Sequence, residues 1–298
     1  MQEKINLWFI AARPWSYTAA IIPVSLGAVL AYAEESQFRG LLFFLTLLGG
    51  ICLQAGVNFL NTYGDFVSGL DDKDHASCPQ LVKGEIVPKK ILAAGVVSLL
   101  LGVLSGVYPV LCGGIPVLVC GFIGVVGASS YTTGIFPYKY VGLGSIMVFF
   151  LMGALMVIPS WYIQGAHGVW VPLLGSLPIS FLVMAIMHGN EIRDIEHDKQ
   201  CGISTLAMKM GLRRAIIFYK SLYVLAYLST AVLVICRVFS AWALLVYLLL
   251  PGSIKDLKNL NTQTDSEFIR KLAKKTGKFH FLFGFLLVIG IWIGTLLN

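Results

Sequence analysis

Two clusters of acidic and amide side chains interrupt an otherwise apolar sequence, and each follows directly on a long apolar run. The first contains Asn58, Asn61, Tyr63, Asp65, Asp71 and Lys73, and the second contains Asn190, Glu191, Arg193, Asp194 and Asp198. Ionisable groups at the end of an apolar segment are costly there, so they indicate a functional site.

The spacing within each cluster favours binding of a divalent cation. Asn58, Asn61 and Asp65 are at i, i+3 and i+7, and Asp194 and Asp198 are at i and i+4, so each set shares one helix face. The like charges at i and i+4 repel by a few tenths of a kcal/mol, which a cation would relieve. Mg²⁺ prefers oxygen ligands and completes its shell with water and substrate phosphate. For each cluster alone, helix capping and solvation are the alternative.

Nearby basic and aromatic residues would complement such a site. Arg193, Lys139 and Lys73 could neutralise phosphate charge, although each could equally mark the cytoplasmic side of a membrane. Asn58, Asn61, Tyr63 and Asn190 are further candidates for contacts with a substrate. Interfacial belts explain most of the aromatic residues, and a minority could line a cavity where ring faces stabilise a carbocation.

The elements that must position these residues are membrane helices. The chain of 298 residues is 57% hydrophobic and 12% charged, and its mean hydropathy is +0.81, which excludes an ordinary soluble domain. Apolar runs of about 20 residues are the length a helix needs to cross a bilayer, and the alternating segments of a β-barrel are missing from the sequence. We therefore expect an all-α integral membrane protein with one domain over residues 1–298.

The apolar runs predict nine membrane-spanning helices. Their approximate ranges are 15–34, 41–62, 91–110, 113–133, 142–163, 171–190, 214–235, 239–254 and 279–297. With the N-terminus inside, only Arg39 and Arg237 lie on outer loops, and the other 20 of the 22 Lys and Arg lie inside. Both clusters are then cytoplasmic. The net charge of +7 follows from this topology and suits anionic lipid and an anionic diphosphate substrate, and it does not indicate nucleic acid.

The cysteines and one basic run are expected to have structural roles. The six cysteines form no CxxC pair and are expected to be small buried hydrophobic residues. The basic run around Arg270, Lys271, Lys274 and Lys275 is expected to lie at the lipid headgroups.

Asn61-x3-Asp65-x5-Asp71 and Asp194-x3-Asp198 resemble the two Asp-rich motifs of the UbiA superfamily of intramembrane prenyltransferases. Three other stretches are similar to its menaquinone branch, which includes the 1,4-dihydroxy-2-naphthoate polyprenyltransferases. They begin at Arg13-Pro-Trp-Ser, at Tyr131-Thr-Thr-Gly and at Arg193-Asp-Ile-Glu. The similarity covers residues 11–212, and beyond them only hydropathy matches.

This resemblance implies a nine-helix bundle around a central cavity, with the active site on the cytoplasmic side of a bacterial cell membrane. It implies that Asn61, Asp65, Asp71, Asp194 and Asp198 hold Mg²⁺ on a polyprenyl diphosphate. Lys139 and Arg193 would bind the diphosphate, and an aromatic acceptor would receive the prenyl group.

The sequence departs from the branch at two places. Glu191 stands where the branch commonly has a second Asn, and an Arg usual near positions 77–80 is replaced by Ser77-Cys78-Pro79-Gln80. Lys73 or Lys83 could supply the lost phosphate ligand. The alternatives are another acceptor for the same chemistry (4-hydroxybenzoate, homogentisate or a glycerol phosphate) and, more remotely, a cation-coupled transporter. Prenyl chain length and oligomeric state cannot be predicted from the sequence.

Overall fold

A computed structural model describes residues 8–71, 79–132 and 136–297, and within these ranges the chain forms helices, turns and no strands. Seven long helices dominate. They are α1 (Thr18–Glu35), α2 (Gly40–Val67), α3 (Pro88–Ser129), α4 (Gly144–Ile163), α5 (Leu177–Gln200), α6 (Leu212–Ile235) and α7 (Leu272–Leu297). Shorter helical segments span Pro14–Ser16, Pro79–Val82, Tyr138–Val141, Trp170–Gly175, Leu206–Met210, Ala241–Leu249, Leu250–Asn259 and Ser266–Arg270. In a bilayer, helices satisfy every backbone polar group within the segment, which explains why long apolar runs take this form.

Helix α3 reverses its direction in the middle. Gly114 has a non-helical conformation (φ 70°, ψ −155°), a region of positive φ that glycine adopts without steric cost. Before it, Gly95 packs against Leu60 and Gly102 against Leu53, so this half is antiparallel to α2. After it, Val117 clusters with Leu42, and the Thr132 hydroxyl donates to the Leu60 carbonyl, so the chain returns parallel to α2. The predicted spans 91–110 and 113–133 are therefore two arms joined at Gly114.

The prediction of nine membrane-spanning helices is not confirmed. Six of the described helices are long and apolar enough to cross a bilayer: α1, α2, α3, α4, α6 and α7. The predicted span 171–190 is divided between Trp170–Gly175 and α5, and α5 continues ten residues further to include the second polar cluster. The predicted span 239–254 is a 3₁₀ helix followed by a short α-helix. Local hydropathy could not predict these breaks because it does not encode backbone geometry.

Helix α1 lies at the centre of the bundle, and α3 lies at its edge. In the most apolar 18-residue window of each helix, 67% of residues are buried in α1 and 17% in α3. Gly27 lets α1 approach α4 so closely that the Ser160 hydroxyl donates to the Val24 carbonyl at 2.6 Å. The exposed side of α3 is apolar, for example at Leu111 and Phe122. An apolar helix surface of this kind suits lipid, consistent with an integral membrane protein.

The cysteines only partly follow the expectation of burial. Cys52 and Cys120 are half-buried, whereas Cys112, Cys201 and Cys236 are exposed, and Cys78 lies outside the described residues. For these three the prediction is wrong. Cys112 lies on the exposed helix α3, where an apolar bilayer rather than the protein core can cover a small hydrophobic side chain.

Candidate active site

A cavity of 2080 Å³ opens within the bundle, and both polar clusters line it. The part of its wall that comes from α2, α3 and α4 beyond the polar clusters is largely apolar. Nine of the predicted site residues line it: Asn58, Asn61, Asp65, Asp71, Lys139, Asn190, Arg193, Asp194 and Asp198. The structure thus brings together residues that are separated by up to 140 positions in the sequence.

Asp65 is the centre of the first cluster. Its side chain is buried, and both carboxylate oxygens accept from the Lys139 ammonium at 2.6 Å. The Tyr140 hydroxyl donates to the same carboxylate at 3.0 Å. Burial and the neighbouring Asp65 raise the pKa of Tyr140, so its hydroxyl stays protonated and donates. These charge-assisted bonds fix the carboxylate at the cavity wall.

Asn61 orients Asp65 and is itself oriented by Arg13. Its amide nitrogen donates to Asp65 Oδ2 at 2.9 Å, and its amide oxygen accepts from Arg13 Nη1 at 3.0 Å. A second guanidinium nitrogen of Arg13 donates to the Thr62 hydroxyl at 3.0 Å. Arg13 has the left-handed backbone conformation (φ 50°, ψ 58°), which is uncommon outside glycine and which the surrounding contacts must maintain.

Asn58 joins the N-terminal turn to α2. Its amide nitrogen donates to the Ala12 carbonyl at 2.8 Å and to the Ser16 hydroxyl at 2.9 Å. Asn58 therefore lines the cavity while holding the segment that presents Arg13.

The second cluster lies on the last two turns of α5. The Arg193 guanidinium binds the Asp194 carboxylate through two hydrogen bonds of 2.7 and 2.6 Å. Asp198 lies one turn further and is buried. Burial, together with the neighbouring Asp194 charge, raises the pKa of Asp198 to about 6, and Lys139 and His197 act in the opposite direction. A cation at this position would favour the ionised carboxylate.

The two clusters meet at the end of α2. The His197 ring nitrogen Nε2 lies 2.7 Å from the Leu70 carbonyl oxygen, 127 residues away in sequence. The backbone nitrogens of Leu70 and Asp71 both donate to the Asp65 carbonyl, which turns the chain so that Asp71 faces the same cavity. Direct contact between the two polar segments supports the expectation that they form one site.

Glu191, the departure from the family pattern, anchors two neighbouring segments to α5. Its buried carboxylate accepts from the Ser145 hydroxyl at 2.6 Å and from the Ala207 backbone nitrogen at 3.2 Å. His188 Nδ1 lies 3.2 Å away, and His188 Nε2 faces the Ala215 carbonyl at 3.1 Å. Glu191 thus connects α5 with the start of α4 and with the segment Leu206–Met210.

One predicted contact residue, Tyr63, does not enter this arrangement. Tyr63 is on another face of α2 from Asn61 and packs against the small cluster around Phe59, Leu81 and Ile91, so it does not line the cavity. Two residues along a helix correspond to a rotation of about 200°, which explains this placement. Lys73 lies outside the described residues.

Several residues around the site had no role assigned from the sequence. Arg13 and Tyr140 contact the first cluster, and His197 connects the two clusters. Arg13 and Tyr140 belong to stretches that carry the family resemblance, which is the signal that could have identified them. Arg270, Lys274 and Lys278 also line the cavity, although the basic run here was expected only at the headgroups.

The donor set fits a hard divalent cation that is shared with a phosphate group. Each cluster offers two carboxylates to the cavity, Asp65 and Asp71 on one side and Asp194 and Asp198 on the other. In the described part of the chain, three or more Asp, Glu, His or Cys side chains nowhere gather into a ready metal site. Mg²⁺ commonly binds one or two carboxylates, with water and phosphate completing its shell.

Comparisons with known proteins show the family to which the chain belongs. The sequence model described as the UbiA prenyltransferase family matches residues 20–283. A 1,4-dihydroxy-2-naphthoate octaprenyltransferase from Bacillus subtilis (strain 168) is 33% identical over 290 residues, which cover 96% of this chain and 92% of that protein. The human UbiA prenyltransferase domain-containing protein 1 is 31% identical over 294 residues, covering 97% of this chain and 84% of that protein.

The fold is also similar to that of a solved structure. A UbiA homolog from Archaeoglobus fulgidus bound to GPP and Mg²⁺ superposes with a TM-score of 0.68 at 15% identity, covering 95% of this chain and 99% of that chain. At this identity the likeness concerns the fold alone.

Proposed function

We propose that this chain, which belongs to the UbiA prenyltransferase family, transfers a polyprenyl group from its diphosphate to 1,4-dihydroxy-2-naphthoate. The reaction depends on Mg²⁺ and forms a step of menaquinone biosynthesis. Family membership makes the chain an integral membrane prenyltransferase, and it removes the cation-coupled transporter from consideration. The acceptor, the metal and the roles of individual residues belong to the proposal.

One observation carries the proposal. Two acidic clusters from α2 and α5 converge on one cavity, where His197 contacts the Leu70 carbonyl, and the wall beyond these clusters is largely apolar. A polyprenyl diphosphate has the same division into a charged head and an apolar tail. The cavity therefore matches the donor in both chemistry and polarity.

Different residues would bind the metal and the phosphate oxygens of the diphosphate. Asp65, Asp71, Asp194 and Asp198 would hold Mg²⁺, with Asn61 and Arg13 keeping Asp65 in place. The ion supplies Lewis-acid stabilisation of the charge on the departing diphosphate. Lys139 and Arg193 lie beside these carboxylates and would bind the phosphate oxygens, and Asn58 and Asn190 add polar groups to the wall.

The protein then supports an electrophilic aromatic substitution. The allylic carbon–oxygen bond breaks, and its electron pair leaves with the diphosphate. The apolar wall excludes water from the resulting allylic cation. An electron pair of the acceptor ring forms the new carbon–carbon bond, and loss of the ring carboxylate as CO₂ restores aromaticity.

The naphthoate acceptor is supported by the relatives. The similarity to the Bacillus subtilis octaprenyltransferase extends over nearly the whole of both chains, and the menaquinone-branch stretches include Arg13, Lys139 and Arg193. The human relative is about equally similar, so acceptor identity depends on a direct test. By the positive-inside rule the site lies on the cytoplasmic side of the membrane. The membrane in this proposal is that of a bacterial cell.

An acceptor panel tests this proposal. Purified protein in detergent receives a polyprenyl diphosphate, Mg²⁺ and, in separate reactions, 1,4-dihydroxy-2-naphthoate, 4-hydroxybenzoate, homogentisate and a glycerol phosphate. We expect prenylated naphthoquinol with equal amounts of CO₂ and diphosphate. Product from another acceptor alone would overturn the naphthoate assignment, and no product with any acceptor would overturn the transferase chemistry.

A further inference from the structure

The cavity has a second charged wall that is separate from the acidic clusters. We propose that Lys274 and Lys278, with Arg270 before them, form a binding site for the carboxylate of the aromatic acceptor. We call these three residues the basic ridge. The inference rests on the proposed function, because it names the group that recognises the acceptor in that reaction.

The basic ridge lies on one face of α7. Lys274, Gly277, Lys278 and Phe281 are at i, i+3, i+4 and i+7, and all four line the cavity. Arg270 lines it at the end of the preceding short helix. Gly189 allows close approach of α7 to α5 at Ala273, immediately beside Lys274. The basic ridge is therefore part of the cavity wall and not only a membrane-facing surface.

The basic residues between positions 270 and 278 are of two kinds: some line the cavity, and others contact neighbouring side chains outside it. Lys271 forms an ion pair with Glu267 at 2.5 Å, and Lys275 lies 3.9 Å from the ring centroid of Phe268. Neither residue lines the cavity. Among the described residues, no ion pair joins Arg270, Lys274 or Lys278 to an acid. Lys274 and Lys278 are like charges at i and i+4, an arrangement that repels on a helix and that an anion would stabilise.

The shape next to the basic ridge suits an aromatic ring. Lys274 Nζ lies 5.4 Å from the ring centroid of Trp15, which also lines the cavity. Gly277 lies between the two lysines, and a Cβ atom added there would meet no atom within 4 Å. The wall therefore has an open recess with cations on both sides and an indole ring nearby. This combination fits the ring and the carboxylate of an aromatic acid.

The distribution of charge in the cavity also favours different positions for the two substrates. The diphosphate is expected at the carboxylates through Mg²⁺, and a second anion placed against those carboxylates would be repelled. Lys139 and Arg193 already bind Asp65 and Asp194. The basic ridge offers cations that these acidic residues do not neutralise, so an anionic acceptor is directed to this wall.

Direct binding tests the inference independently of turnover. The probe is 1-hydroxy-2-naphthoate, followed by its fluorescence with purified protein in neutral detergent, and 1-naphthol serves as the analogue without a carboxylate. The double variant Lys274→Gln/Lys278→Gln is compared with Lys271→Gln/Lys275→Gln, which changes the same residue types and the same charge. Gly277→Leu fills the recess without changing the charge.

We expect the Lys274→Gln/Lys278→Gln variant to bind the naphthoate about tenfold more weakly, the scale of two partly exposed ion pairs, and to bind 1-naphthol as before. We expect Gly277→Leu to weaken both probes and the Lys271→Gln/Lys275→Gln variant to match wild type. In turnover, the KM for the acceptor should rise while the KM for the polyprenyl diphosphate stays constant.

Three results would overturn the inference. Equal naphthoate binding by the two double variants would show that position on the helix is irrelevant. Equal weakening of 1-naphthol and naphthoate by Lys274→Gln/Lys278→Gln would indicate altered packing. Loss of binding to spin-labelled phosphatidylglycerol with unchanged naphthoate binding would assign the basic ridge to lipid headgroups. Wild-type protein that binds the naphthoate but does not prenylate any naphthoate would instead count against the proposed function.

Discussion

Replacement of Lys139 by Met should strengthen metal binding and impair catalysis. Lys139 Nζ lies 2.6 Å from both oxygens of Asp65, and the two side chains are only 19% and 4% exposed. A cation that approaches Asp65 must therefore compete with this ammonium group. Without Lys139, the carboxylate keeps the donors Asn61 and Tyr140 and becomes available to the metal.

The magnitude follows from the bond that is lost. A hydrogen bond to a charged group contributes about 1.5–3 kcal/mol. Without the bond from Lys139 to Asp65, the free energy of binding a divalent cation should become more favourable by about 2 kcal/mol, which corresponds to roughly thirtyfold tighter binding. Turnover should fall by about 100-fold, the effect of removing one group that stabilises developing negative charge. Mn²⁺ affinity is measured by titration, with the electron paramagnetic resonance signal of the free ion as the readout.

Lys209→Met is the matched control. Lys209 Nζ donates to the Val141 carbonyl at 2.9 Å, close to the same loop, and it has no carboxylate partner among the described residues. Its Mn²⁺ affinity should equal that of the wild type. Unchanged or weaker Mn²⁺ binding by Lys139→Met would refute the competition between ammonium and metal at Asp65.

Three further variants test separate parts of the structure. Tyr140→Phe removes the hydroxyl that donates to the Asp65 carboxylate, and we expect kcat/KM to fall by about tenfold or more, since a hydrogen bond to a charged group contributes about 1.5–3 kcal/mol; equal kinetics would contradict this. In Glu191→Gln only one side-chain oxygen remains, whereas the Glu191 carboxylate accepts hydrogen bonds from two groups through its two oxygens. The loss of one bond should lower the free energy of unfolding by about 1–3 kcal/mol. An unchanged thermal transition in detergent would contradict this anchoring role. Gly27→Ala places a methyl group against the Val157 carbonyl and should cost about 1–3 kcal/mol, whereas the control Gly106→Ala enters open space and should be neutral or stabilising by up to about 1 kcal/mol. Equal melting temperatures of these two variants would contradict the close packing of α1 on α4.

The polar clusters could be predicted from the sequence because charge in an apolar chain is conspicuous. Asp65 and Asp194 were identified by residue type and spacing, and both line the cavity. The contacts that support them depend on distant residues. Arg13 is 48 positions from Asn61, and only the folded chain shows that its guanidinium binds that amide.

The membrane topology shows where local patterns are insufficient. Apolar runs predicted nine spans and separated 91–110 from 113–133, where Gly114 reverses α3, but hydropathy does not show that the segment 241–249 forms a 3₁₀ helix. Tyr63 illustrates the same limit at a single position. It lies next to the polar cluster in sequence, yet its rotation about α2 directs it into a separate apolar cluster.

The most direct test of the central claim measures diphosphate release as a function of Mg²⁺ concentration. The wild type is compared with Asp65→Asn from the first cluster and Asp194→Asn from the second, which lie on α2 and α5. If both clusters hold one metal–diphosphate unit, each substitution alone should lower turnover by at least about 100-fold and raise the Mg²⁺ requirement. Turnover that needs no divalent cation, or that survives either substitution unchanged, would contradict the account.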